Sequence, residues 1–130
     1  MLTWSRRLYT IAAWLFFSGI VVQVFLAGLA LFTPRTSSWE NHVGFGYLVG
    51  YVLLPLIVFA FVGRLPRSIK LQMGLLFLLY IVQLTLIYLR DSVPIISALH
   101  PVNAMLLFWF SLRHARQSRL STLAEAAQPS

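Results

Sequence analysis

The chain alternates four long apolar stretches, residues 8–32, 42–62, 71–89 and 94–112, with brief polar punctuation. Each reaches or approaches the roughly 20 residues that an α-helix needs to cross the hydrocarbon of a bilayer. Thr33 and Pro34 close the first stretch, and residues 36–41 offer Ser and Thr for a helix start with Trp39 at headgroup level and Glu40 in the first turn. Pro66 and three cations lie between the second and third stretches, and residues 90–92 make the last turn. Connections this short force successive spans to run antiparallel. They predict an all-α, up-down-up-down four-helix bundle over residues 1–119, followed by a tail over 120–130 that is flexible or a frayed extension of the fourth helix. Within it, Pro55 should kink the second span, and Trp4, Tyr9 and Trp14 are placed to anchor the first at the membrane interface.

Composition agrees with a membrane-embedded chain. Hydrophobic residues make up 59% and charged residues 10% of the 130 positions, far from the soluble norm. The formal charge of +7 is explained by membrane sidedness better than by nucleic acid, which is not expected as a partner. Arg6, Arg7, Arg64, Arg67, Lys70, Arg113, Arg116 and Arg119 fall on one side of the predicted membrane, against Arg35 and Arg90 on the other. The positive-inside rule then puts both termini in the cytoplasm. The first apolar run is about twice the 7 to 15 residues of a signal-peptide core, so a retained helix is expected. Cysteine is absent, which leaves histidine, other polar groups or packing to hold any cofactor.

Polar residues inside spans are costly and mark candidate sites. They are Gln23, His42, Gln72, Gln83, His100 and Asn103; His114, amid the arginines after the fourth span, reads as a solvated or headgroup residue. A weak internal repeat organises them. Val22-Gln23-Val24-Phe25-Leu26 and Val82-Gln83-Leu84-Thr85-Leu86 are each followed by a turn and a histidine, at His42 and His100. The topology brings Gln23, His42, Gln83 and His100 to one level in the outer half, with Gln72 apart. Gly46 after His42, and Asn103 and Ala104 after His100, make room for a bulky ligand. Two imidazoles on diagonal helices of a bundle suit the iron of heme b, with His42 and His100 as axial ligands, Gln23 and Gln83 supporting them, and Arg35 and Arg90 pairing with propionates. Structural packing of the same groups, in a noncatalytic membrane subunit or scaffold, is a second reading, and a quinone, a metal ion or a small-solute carrier component a third. No carboxylate lies within a span and no Ser-His-Asp arrangement is visible, so no reaction is named. The bilayer is the one certain partner; a quinone, a redox partner protein, or membership of an oligomer or larger membrane complex are further expectations.

The segments from Val22 to Leu29, from Trp39 to Gly44 and from Leu99 to Ala104 resemble a family of small bacterial four-span membrane proteins of unknown function. That resemblance implies a multi-pass protein of the bacterial cytoplasmic membrane. The histidines on the second and fourth spans are also similar, in architecture, to each half of heme A synthase. Ser38 to Asn41 before His42 and Val43 after it lack that enzyme's flanking acidic and arginine residues, so heme A synthesis is not implied.

Overall fold

A computed structural model describes residues 2–33 and 38–126, and among them every regular element is α-helical. In chain order these are α1 (Leu2–Phe32), α2 (Ser38–Tyr51), α3 (Leu53–Val62), α4 (Arg67–Tyr88), the short α5 (Pro94–Ser97) and α6 (His100–Ala126). Four segments are long and apolar enough to cross a membrane: Trp4–Phe32, Trp39–Val62, Arg67–Tyr88 and Pro94–Leu123. At about 1.5 Å per residue, even the 22 residues of the third cover about 33 Å, enough for the hydrocarbon core. Only 17–22% of the most apolar part of each span is buried inside the protein. The apolar remainder faces outward, as lipid requires and water would not tolerate.

The buried residues form one narrow stripe per span at helical spacing. Among them are Tyr9, Ala13 and Phe16 on α1, Leu53 and Leu56 on α3, Ile69 and Leu76 on α4, and Leu107, Ser111, His114 and Ser118 on α6. The first helix packs against α2, α3 and α6, and α4 packs chiefly against α6. The second and fourth spans therefore sit across the bundle from one another. Small residues bring α1 close to α2: a Cβ on Gly19 would lie 2.8 Å from Cγ2 of Val49.

The second span breaks at Val52, where Pro55 cannot donate to the main-chain carbonyl of Tyr51. It ends in a Schellman turn: Leu65 N–H donates to Ala60 O at 3.1 Å and Arg64 N–H to Phe61 O at 3.0 Å. Arg64 takes the left-handed position at φ 49°, which glycine usually occupies. Nε of Arg6 donates to Gly63 O at 2.9 Å, tying the start of α1 to this turn. The fourth span is longer than the sequence pattern suggests. Its final helix continues past Leu112 to Ala126, because its interior stripe carries on through His114 and Ser118. Leu120 to Ala126, expected as a flexible tail or a frayed extension of this helix, are helical, and residues 127–130 lie outside the described part.

Candidate functional site

Near the end of the bundle that holds Glu40 and Asp91, each histidine meets the glutamine of the preceding span. The Nδ1 of His42 and the main-chain O of Gln23 are 3.1 Å apart. His100 Nδ1 and Gln83 O are likewise 3.1 Å apart. A carbonyl only accepts, so in both cases Nδ1–H donates, and the neutral ring keeps its lone pair on Nε2. The repeat in the sequence thus becomes a repeated contact. Both imidazoles are half-buried.

The side chains of the two glutamines differ. Gln83 Oε1 accepts from Asn103 Nδ2 at 2.6 Å, and the same Nδ2 donates to Leu79 O at 2.9 Å, pinning α6 to α4. Asn103 is buried and Ala104 beside it half-buried. Nε2 of Gln23 instead donates to His42 O at 2.7 Å and stands 3.4 Å from His42 Nε2, while its Oε1 is buried without a partner. Three residues after His100 comes Asn103, whereas three after His42 comes Phe45, which has no donor to offer. That difference leaves the first glutamine's oxygen unsatisfied.

Gly46 holds the Gln23 amide, since a Cβ there would stand 2.7 Å from Nε2. Gly50, one turn on, makes the space in which the ring of Tyr80 lies, and the Tyr80 hydroxyl donates to Gly46 O at 3.1 Å. The room that small residues open after His42 is therefore lined and filled by Gln23 and Tyr80. Trp39 stands edge-on to the His42 ring with centroids 5.8 Å apart. Arg90 pairs with Asp91 at 3.4 Å, both side chains well exposed, a contact of little energetic weight. Arg35 lies outside the described residues.

A second polar cluster, at the opposite end, corrects two expectations. His114 is not solvated: it is 1% exposed, and Tyr9, expected as an interfacial anchor, is 0% exposed. The Tyr9 hydroxyl and His114 Nε2 are 2.6 Å apart, and His114 Nδ1 and Gln72 Oε1 are 3.3 Å apart. Gln72 Nε2 in turn donates to Gln117 Oε1 at 2.7 Å. One direction of donation satisfies every pair, from Tyr9 to His114 to Gln72 to Gln117. The buried spacing Leu107, Ser111, His114, Ser118 was the available signal, overshadowed by the arginines between them.

A helical membrane protein with two buried polar layers, one of them built around paired histidines, is the class these features define. More narrowly, the chain belongs to a family of unknown function (DUF6220), which matches residues 23–90, just over half its length. The match takes in Gln23, His42 and Gln83 and stops short of His100. No curated protein and no solved structure matches the chain.

Proposed function

We propose that this chain is a cytochrome-b-like protein of the bacterial cytoplasmic membrane, an up-down-up-down bundle with both termini cytoplasmic, that binds one heme b between His42 and His100 for electron transfer or heme sensing. The observation that carries the reading is the matched pair of Nδ1 contacts to Gln23 O and Gln83 O. A main-chain acceptor on Nδ1 orients an imidazole and leaves Nε2 for a metal, which is the usual support for a ligating histidine. The donor set fits: two neutral imidazoles on spans that sit across the bundle from one another. The room beside Gly46 and Gly50 is taken by the Gln23 amide and the Tyr80 ring, so binding requires the Gln23 amide, whose Oε1 has no partner, to swing away and give up its bond to His42 O.

In this reading Nε2 of His42 and of His100 would hold the iron, while the two glutamine carbonyls fix the rings. Arg90, and Arg35 of the connection between the first two spans, would pair with propionates. When bound, heme b supplies one-electron exchange between ferric and ferrous iron. A quinone or a redox protein serves as the electron partner. A second reading, a membrane subunit that uses these residues only as packing, is favoured by one observation: Gln23 already occupies the cleft at Gly46.

Visible absorption of the purified, reduced protein separates the two. The heme reading expects a sharp band of paired-imidazole heme that His42→Ala and His100→Ala each abolish or convert. A wild-type protein that stays colourless after heme supplementation while retaining its helical circular dichroism sinks the heme reading and leaves the packing one.

A further inference from the structure

Between α4 and α6, beside the Tyr9-His114 layer, lies a cavity of about 110 Å³ lined by Gln72, Leu75, Phe110 and Arg113. We propose that it is a site for the phosphate of a net-negative phospholipid headgroup, whose acyl chain follows Leu75 and Phe110 into the bilayer.

Size is the first argument. Sites that enclose a whole small molecule run to roughly 300–1,000 Å³, so this cavity takes one compact group and leaves the rest of its ligand outside. Charge is the second. Arg113 is exposed and makes no hydrogen bond or ion pair among the described residues. Of the three acidic residues in the chain, Glu40 and Asp91 are at the other end of the bundle, and Glu125 is twelve positions along α6, about 18 Å away. A guanidinium with no carboxylate at hand is suited to bidentate recognition of phosphate.

Placement is the third. The cavity belongs to the end of the bundle that carries Arg6, Arg64, Arg67 and Arg116, where a potential attractive to anionic lipid is strongest. Gln72 contributes a fixed donor. Its Oε1 is taken by His114 and one amide hydrogen by Gln117, which holds the amide plane and leaves the second N–H for a phosphate oxygen. The buried layer thus positions Gln72, and the apolar walls select a ligand with a hydrocarbon tail over a free ion.

Native mass spectrometry of the full chain in mild detergent, titrated with phosphatidylglycerol or phosphatidylcholine, tests the assignment. The expected result is one tightly held phosphatidylglycerol per chain, bound more strongly than phosphatidylcholine. Replacing Arg113 by Gln should weaken it by about 5-fold or more, from the loss of one cation near the membrane surface. Arg113→Lys should recover part of the affinity, and Arg119→Gln, exposed on the same helix but outside the cavity, should weaken binding clearly less than Arg113→Gln does. Arg113 is exposed, so these variants keep the fold, which circular dichroism checks. Equal affinity in wild type and Arg113→Gln, or no preference between the two lipids, overturns the proposal. If millimolar inorganic phosphate stabilises the protein through Arg113 while neither lipid is retained, the site is one for a free anion and the lipid assignment is likewise overturned.

Discussion

Replacing Tyr9 by Phe removes a single oxygen from the buried end of the second polar layer. The ring itself should stay, because its edge contact with the His114 ring, centroids 5.7 Å apart at 73°, does not involve the hydroxyl. What disappears is the 2.6 Å bond to His114 Nε2. A buried acceptor stranded this way costs about 1–3 kcal/mol in proteins generally, but hydrogen bonds between membrane helices average only about 0.6 and reach about 1.7 kcal/mol. The structure decides where in that range this bond falls. Tyr9 and His114 are 0% and 1% exposed, so neither water nor headgroups can replace the lost donor.

The expectation is therefore a loss of about 1.5 kcal/mol, roughly tenfold in the folding equilibrium. Reversible unfolding in mixed micelles with increasing SDS, followed by helical circular dichroism, measures it. Pairing Tyr9→Phe with His114→Leu in a double-mutant cycle isolates the bond, and the coupling should be about 1 kcal/mol. A Tyr9→Phe protein within about 0.3 kcal/mol of wild type, or a coupling energy near zero, would refute the claim that this layer ties α1 to α6.

Gly19→Leu should destabilise the bundle by about 1–3 kcal/mol in the same unfolding assay, because even its Cβ would be 2.8 Å from Val49. Arg64→Gly should raise stability by about 1 kcal/mol, since Arg64 holds a left-handed backbone at φ 49° that costs a residue with a Cβ about that much. Topology is read by reporter fusions: those after Arg67 and Ser118 should report the cytoplasm and one at Ser37 the outside, and an external signal at Arg67 would overturn the orientation.

The four spans were legible because a chain this small has no core large enough to hide four apolar runs of membrane length from water. The break in the second span was legible because proline has no N–H. The histidine-glutamine contacts were legible only in part. Depth could be counted along each helix, but that both glutamines would meet the ring through their main-chain oxygen could not, and where each side chain goes depends on the residue three past the histidine, Phe45 in one hairpin and Asn103 in the other. The Tyr9-His114 layer was hidden for a different reason. Histidine between arginines reads as surface, yet a helix turns 100° per residue, so Arg113 faces outward while His114, one position on, faces the core. Helical phase, which the flanking arginines mask in the sequence, governs where this histidine points.

The unequal hairpins lead to a last prediction, on the ligand-free protein, that compares Gln23→Leu with Gln83→Leu. Losing the Gln83 side chain removes the acceptor of a 2.6 Å bond from Asn103, which is only 5% exposed and cannot turn to water. Losing the Gln23 side chain removes a donor to His42 O at 2.7 Å, but that carbonyl lies within a helix and keeps its own helical partner. The same change also deletes Oε1, a buried atom that has no partner to lose. Leucine fills a similar volume at both sites, so packing largely cancels between them. Gln83→Leu should therefore be the more destabilising by about 1 kcal/mol. Adding Asn103→Leu to Gln83→Leu should recover part of that loss, because both partners of the bond are then apolar and no buried polar group is stranded. Equal losses in the two single variants, measured by the same SDS titration, would mean that Gln23 Oε1 is satisfied after all and that the asymmetry between the hairpins has no energetic content.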